Sequence, residues 1–481
     1  MAALLLGGAM APVFAADVKN LSVTVSSGTQ ANAYGGYTIE EGASALQNAL
    51  TLSGPAKVLK ASAGGWSRWG NAEWNTLTIR LDEDGLLGPS DIVGGGVAES
   101  EGGGAAVHNT VYIESGTVEG TVEGGVAVGI NGVGDGTGDV LSNQVTMSGG
   151  TVYSVFGGET GEGNANDNVV TIKGSAAVTG KSNAVYGGYT IDGNASGNIV
   201  NIEDDADIHG EIMGGYTRAG SLISGNKVNV TGGNVNENTV YGVYTAYGDV
   251  LDNQAVIKGT GQAGSSDTNS VYAGFTNIGA AAGNILYIQD SAEIAGSAFA
   301  GYQGGFISSE TVERNQVFMS GGSVGGDLTG GGSNNGGETL NNYVEITGGT
   351  VSGNVYSGFT DSADALENTL TVAGGRVEGS LFGGYSNTGT ANENKLTFSA
   401  GTAGSDAYGG YAQEGADGNE AVLSGTSVLE GNAAGGSSAR GEASGNSLTI
   451  KENSEVKGDA AGGDVYMGTI SKNIITIQYN A

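Results

Sequence analysis

The 481-residue sequence contains no cysteine, 3 prolines and 2 histidines. Without cysteine the chain can form no disulfide, no thiolate metal site and no thiol nucleophile. Proline interrupts strand ladders, so its scarcity is compatible with extensive sheet pairing. His108 and His209 lie in different repeats, and a histidine-based triad would need a serine and a carboxylate around one of them. We therefore expect both histidines to face solvent and the chain not to be an enzyme.

Basic residues are also few, because 17 Lys+Arg stand against 50 Asp+Glu and give a formal net charge of −33. The electric field of so negative a chain repels nucleic acid and anionic lipid, and the charge keeps a protein soluble. We therefore predict that no nucleic acid is a partner. The sequence has no series of calcium-binding nonapeptides, so we expect no cofactor and no dedicated metal site.

Glycine, by contrast, is abundant, with 93 residues placed at regular points of a repeat. Each copy begins with Asn, has apolar residues at the second and fourth places after it, turns at a Gly-rich segment, continues as a second apolar strand and returns through polar residues. The Asn start recurs with a mean spacing of about 28 residues, which is typical of a stacked-repeat architecture. The 17 starts are Asn20, Asn48, Asn75, Asn109, Asn143, Asn168, Asn198, Asn226, Asn253, Asn284, Asn315, Asn342, Asn368, Asn394, Asn419, Asn446 and Asn473.

The apolar residues alternate with a period of two, which predicts strands with one buried face. We therefore predict an all-β fold, a right-handed parallel β-helix (β-solenoid) of about 17 coils with roughly 27–28 residues per coil. Ile172 is expected in the core and Thr171 on the solvent face. The Asn column is expected at a corner, where Asn tolerates left-handed backbone and its amides can bond from coil to coil. In the first copy, the apolar residues stand one position closer to the starting Asn, Asn20, than they do in the other copies.

The N-terminal segment and the repeat region that follows it indicate the domain organisation. Residues 1–16 combine an apolar run with the small-residue cleavage pattern of Val13–Ala15, which predicts a secretory signal peptide. The charged front region is missing, so the recorded start can lie inside a longer signal. Residues 17–481 are predicted to form a single β-solenoid domain. Its longer loops fall within 80–142, where two successive intervals between anchors each take 34 residues.

The cysteine-free, acidic composition and the NxVxIxGG…VYGGYT repeat resemble the passenger region of bacterial autotransporters, the type V secretion family, from about residue 17 to 481. The resemblance implies export through an outer-membrane translocator barrel to the bacterial cell surface or beyond, often as an adhesin that binds a glycan or protein receptor. The family's C-terminal barrel has no counterpart in this sequence, so either the chain is a fragment or it is a secreted solenoid of another kind. A polysaccharide-acting β-helix enzyme and a structural spacer without its own ligand are the alternative functions.

Three neighbouring carboxylates, Asp204, Asp205 and Asp207, are the candidates for catalysis or calcium binding. The first two replace the Gly pair of the turn, and Asp is a common turn residue, so a turn role is favoured. We find no facing carboxylates at matching positions of neighbouring coils, as an enzyme of this class would require.

Aromatic residues form two columns, one just before the second Gly pair and one just after it. Positions three apart lie on opposite faces of a strand, so one column is expected to face inward and the other outward unless the Gly pair bends the chain. A stacked structural ladder is the favoured interpretation, and a ligand-binding stripe is the alternative.

All 3 Trp lie within nine residues, and Arg68 lies among them. Trp66 replaces a column aromatic, whereas Trp69 and Trp74 replace residues that are polar or small in other copies. Two interpretations stay open: the rings cap the N-terminal end of the stack, or they form an exposed platform that stacks on sugars or anchors a protein. Trp66, Arg68, Trp69 and Trp74 are therefore the candidate ligand-binding residues.

Overall fold

The computed structural model describes residues 17–88, 92–99, 103–129, 136–181, 184–236, 238–264, 269–305, 310–334 and 336–478. The predicted signal peptide, residues 1–16, lies outside these ranges. The fold is all-β, with parallel strands stacked into a β-solenoid of about 16 turns, as the repeat predicted. Within the described ranges no helix is long and apolar enough to cross a membrane. The chain divides into two compact units, Met1–Asn238 and Thr239–Ala481.

The first unit repeats four strand positions, which we name by their place in the coil. The anchor strands begin after the anchor position: Ser22–Val25, Ala49–Gly54, Thr76–Leu81, Thr110–Ser115, Gln144–Met147, Val169–Ile172, Ile199–Ile202 and Lys227–Val230. Separate second strands follow the turn at Leu86–Leu87, Ala177–Val178, Asp207–Ile208 and Asn234–Asn236. The aromatic strands are Thr29–Thr38, Lys57–Ser67, Ile92–Glu99, Thr117–Val128, Thr151–Glu159, Val185–Thr190 and Ile212–Thr217. The return strands are Val18–Lys19, Ala45–Leu46, Ala72–Glu73, Ala106–Val107, Val140–Leu141, Ala165–Asn166 and Leu222–Ser224.

The second unit has the same four positions. Its anchor strands are Gln254–Ile257, Ile285–Ile288, Gln316–Met319, Tyr343–Ile346, Thr369–Val377, Lys395–Ala403, Glu420–Leu429, Ser447–Lys451 and Ile474–Gln478. Its second strands are Gln262–Gly264, Glu293–Ile294, Ser323–Val324, Thr350–Val351 and Glu455–Val456. Its aromatic strands are Val240–Tyr247, Asn269–Ile278, Ser297–Gln303, Leu328–Ser333, Val355–Thr360, Leu381–Ser386, Ala407–Ala412, Ala433–Ser438 and Ala460–Val465. Its return strands are Asp249–Leu251, Ala281–Ala282, Val312–Glu313, Thr339–Leu340, Ala365–Leu366, Ala391–Asn392, Gly415–Asp417, Glu442–Ser444 and Thr469–Ser471.

The predicted register of the anchor strands is confirmed at Ile172. This side chain is fully buried and its residue pairs in parallel with Met147 on one side and Ile202 on the other. Thr171 points the other way, is partly exposed and pairs with Asn201, whose Nδ2–H donates to the Thr171 hydroxyl (3.2 Å). Alternate residues of each strand therefore fill the core, as the period of two requires.

The buried Asn column forms a continuous hydrogen-bond ladder within each unit, which confirms the predicted bonding from coil to coil. The backbone N–H and the Nδ2–H of Asn75 both donate to Oδ1 of Asn109, at 2.9 and 3.0 Å. The same Nδ2 donates to the carbonyl of Ala45 in the preceding coil (2.8 Å). Each interior amide thus has partners for its donors and its acceptor although it is buried.

The left-handed corner lies one residue earlier than expected. The Asn column itself does not adopt it; instead the preceding residue has positive φ, for example Gln47 (55°), Asp167 (58°) and Gly197 (67°). The physical reason is that Asn must place its amide inside the coil, so the residue before it makes the corner. In the first copy Asn20 is this corner residue (φ 57°) and Leu21 takes the ladder place, its N–H donating to Asn48 Oδ1 (3.1 Å).

The first copy is therefore in register, contrary to the expectation from Asn20. Val23 pairs with Leu50, and Val25 pairs with Leu52. The 17 anchor strands among the described residues enclose 16 intervals, in line with a solenoid of about 16 turns.

Candidate functional site

The two aromatic columns lie on the same side of their strands, so the expectation of opposite faces is wrong. The ring centroids of Tyr186 and Tyr189 are 5.5 Å apart in a T-shaped contact. Both intervening glycines, Gly187 and Gly188, face the interior, where an added Cβ on either would overlap the side chain of Asn198. Two successive inward residues break the alternation, which brings the flanking rings together.

The columns form stacked ladders, which supports the structural interpretation over a continuous ligand-binding stripe. Tyr189 and Tyr216 stack at 4.9 Å with planes 5° apart, and Tyr385 and Tyr411 stack at 5.4 Å and 10°. Burial, followed by the neighbouring charges of Tyr216 and Glu159, raises the pKa of Tyr189 to about 12. Because the ring faces are already in contact with each other, a sugar could contact only the edges of the rings along these ladders.

Trp66 belongs to this aromatic ladder. Its indole makes a T-shaped contact with Tyr34 at 5.4 Å and a tilted one with Tyr37 at 6.4 Å. The Nε1–H of Trp66 donates to Oε2 of Glu99 (3.1 Å). Packing and a hydrogen bond therefore hold this ring, so it is the least available of the candidate ligand-binding residues.

Arg68, Trp69 and Trp74 lie beyond the aromatic strand, on the way back to the next anchor. The exposed guanidinium of Arg68 is 5.9 Å from the ring centroid of the half-buried Trp69, within range of a cation–π contact. Trp74 is 56% exposed and stacks on His108 at 4.1 Å, with planes 26° apart. Trp69 and Trp74 lie five residues apart, so their Cα atoms are at most about 18 Å from each other.

The position of Trp74 favours a platform over an N-terminal cap. Trp74 and His108 are the left-handed corner residues of successive coils (φ 57° and 56°), which is why their rings stack. The return strand that leads to Trp74 already has a neighbour on its N-terminal side, because Ala45 of the preceding coil pairs with Ala72. Trp74 therefore lies at an outer corner of the unit and does not cover the end of the stack.

Asp204 and Asp205 occupy the turn, in agreement with the favoured interpretation, and Asp207 begins the second strand Asp207–Ile208. Asp204 has positive φ (57°) and its Oδ2 accepts from the N–H of Gly174 (3.2 Å). The Asp207 carboxylate lies 2.9 Å from His209 Nε2, and both side chains are half exposed. Across the described residues, no group of three or more His, Asp or Glu side chains could hold a metal ion.

A facing pair of carboxyls exists that the sequence analysis missed. Glu123 takes the first aromatic column place in its coil, and Glu159 takes the second place in the next coil, where it pairs with Val126. Glu123 is only 3% exposed, and its Oε2 has no hydrogen-bond partner among the described residues. Burial and the neighbouring Glu159 raise the pKa of Glu123, and burial raises the pKa of Glu159 to about 7. Aligning the column places coil by coil would have revealed this pair.

The strand order and these sites define an acidic, glycine-rich repeat protein of the parallel β-solenoid class. None of the protein-family models, curated proteins or solved structures with which the chain was compared matches it.

Proposed function

We propose that the chain is an exported, non-enzymatic bacterial surface solenoid, an adhesin that binds a cell-surface glycan or protein through the return segment that carries Arg68, Trp69 and Trp74. The exposed stack of Trp74 on His108 is the observation that carries the proposal. Large aromatic rings on a surface commonly mark binding sites, because they gain contact area with little loss of conformational entropy. Other coils place small or polar residues at this corner, so the ring is not needed to build a coil.

Export and surface location rest on the resemblance of the repeat to autotransporter passengers. An outer-membrane translocator barrel is the partner that this resemblance implies. The net charge of −33 favours a neutral or basic ligand over a nucleic acid.

The rival function, a polysaccharide-acting enzyme, would use Glu123 and Glu159, the two carboxyls that face each other. Glycosidases hold their two carboxyls roughly 5 Å or more apart with the substrate between them. A carboxyl that is 3% exposed offers no such space, which supports the non-enzymatic proposal.

The test is a double variant, Trp69→Ala with Trp74→Ala, compared with wild type for binding to cells and to immobilised glycans. Tyr153→Ala is the matched control, because Tyr153 is another exposed ring (49%) on a different coil. We expect the double variant to lose binding at an unchanged melting temperature, and the control to bind normally.

Retained binding by the folded double variant would contradict this site. Absence of binding by wild type would favour a spacer. Polysaccharide cleavage by wild type that Glu159→Gln abolishes would favour the enzyme instead.

A further inference from the structure

We propose that the stacked tyrosine pairs Tyr189–Tyr216 and Tyr385–Tyr411 are sites of oxidative modification, at which a peroxidase with hydrogen peroxide joins adjacent coils through a dityrosine bond. This proposal is independent of the adhesin proposal, because it concerns the aromatic ladder and not the tryptophan segment.

The first pair has the geometry that coupling requires. Tyr189 and Tyr216 are paired residues of the adjacent strands Val185–Thr190 and Ile212–Thr217. Their rings are nearly parallel, 5° apart, with centroids 4.9 Å apart, and both side chains are partly exposed. Two phenols that face each other at this distance can react before either radical meets another molecule.

The second pair repeats this arrangement in the other unit. Tyr385 and Tyr411 are paired residues of Leu381–Ser386 and Ala407–Ala412, stacked at 5.4 Å and 10°, and both are partly exposed. The first column of the same coils cannot couple in this way, because Phe382 lies between Tyr356 and Tyr408 and lacks the hydroxyl group.

Other tyrosine neighbours fit the reaction less well. Tyr241 and Tyr272 stack at 5.2 Å and 4°, but Tyr272 is only 5% exposed, which restricts access of an oxidant. Tyr34 and Tyr37 stack within one strand, so coupling there would connect no two coils. Selectivity for Tyr189–Tyr216 and Tyr385–Tyr411 is therefore the specific expectation.

The reaction balances as a two-electron oxidation. Each phenol loses one electron and one proton to give a phenoxyl radical, and the two radicals form a carbon–carbon bond between ring positions ortho to the oxygens. The hydrogens on the coupled carbons move to the oxygens, which restores both phenols. Hydrogen peroxide accepts the two electrons and two protons and becomes two water molecules.

The experiment treats the folded full chain with a haem peroxidase and hydrogen peroxide. Dityrosine fluorescence reports the reaction, and a denaturing gel separates products within one chain from products between chains. Cleavage at acidic residues separates the partners, since Asp192 lies between Tyr189 and Tyr216. Mass spectrometry should then find the two peptides joined with the loss of two hydrogen atoms.

Tyr216→Phe is the decisive variant, because it keeps the stacked ring and removes the phenol. We expect it to abolish the product at Tyr189 and to leave the product at Tyr385–Tyr411 unchanged; Tyr411→Phe should show the reverse. Oxidation of the unfolded chain in denaturant should lose this selectivity.

Three results would overturn the proposal. The first is coupling confined to exposed tyrosines such as Tyr153 and Tyr466 of different molecules. The second is a product restricted to Tyr34–Tyr37. The third is an unchanged yield of Tyr189 product in Tyr216→Phe.

Discussion

Oδ1 of Asn109 accepts two hydrogen bonds from Asn75, one from the backbone N–H (2.9 Å) and one from the side-chain amide (3.0 Å). Both residues are fully buried, so no water replaces a partner that is lost. One side chain thus satisfies two donors of the preceding coil, and its removal affects two coils at once.

Asn109→Ala should destabilise the fold by about 2–4 kcal/mol, because it leaves two buried donors of Asn75 without an acceptor. Urea denaturation followed by circular dichroism measures the change. Asn201→Ala is the control, since Asn201 lies on the outer face and should cost less than about 1 kcal/mol. Equal losses in the two variants would contradict a structural role for the ladder.

Ile172→Asp should destabilise far more than Thr171→Asp. Burial of an Ile side chain is worth roughly 1.5–3 kcal/mol, and a carboxyl in its place adds a further desolvation cost. Thr171 is partly exposed, so its replacement leaves the core intact. Equal shifts of the melting temperature would show that the register is wrong.

The stability of the first unit should fall as the pH rises through about 7, because of Glu123 and Glu159. Their pKa values are raised in the folded state, so the folded chain binds more protons than the unfolded chain in this range. The stabilisation is complete below the ordinary Glu pKa and is lost as pH rises through the folded values. Urea midpoints at about pH 5 and about pH 9 measure this loss.

Glu159→Gln is the matching variant for this pH dependence. We expect it to flatten the fall in stability and to be more stable than wild type at alkaline pH, because it removes one of two neighbouring negative charges, that of the partly exposed Glu159 beside the buried Glu123. Glu119→Gln, an exposed residue on the same strand as Glu123, should keep the wild-type pH profile. A profile that Glu159→Gln does not alter would assign the pH dependence to other groups.

Trp74→Gly should be more stable than Trp74→Ala by about 1 kcal/mol, although both remove the indole. Residue 74 has φ of 57°, a conformation in which Gly carries no steric penalty. Other coils have Gly at the same corner, at Gly197, Gly225 and Gly283. Thermal melts of the two variants measure this difference in stability, and a more stable Ala variant would contradict the left-handed conformation of residue 74.

The fold was predictable because the same local sequence pattern recurs in many copies of the repeat. The alternation around Ile172 and the spacing of the Asn residues were enough to assign strands, register and ladder. The error at Asn20 arose because an Asn can occupy either the corner or the ladder place, and composition alone does not distinguish them. Only the hydrogen bond from Leu21 to Asn48 shows which residue lies in the ladder.

The candidate sites were harder to predict because they depend on which way side chains point. Period-two alternation placed Tyr186 and Tyr189 on opposite faces, and the two inward glycines between them reversed that result. The same shift brings Glu123 and Glu159 together across two coils, from places that differ in the sequence repeat. The tryptophan segment was visible as an excess of large rings, but the contact of Trp74 with His108 required the corner geometry.

The Asn ladder also has an electrical direction. In every rung described within a unit, the amide oxygen accepts from the Asn amide of the earlier coil and one N–H of the amide donates to the Asn of the later coil, as Asn75 and Asn109 illustrate. Amide dipoles aligned head to tail add, which is the origin of the macrodipole of an α-helix. Each unit of this all-strand protein therefore carries an axial dipole along its amide column, with its positive pole toward the later coils.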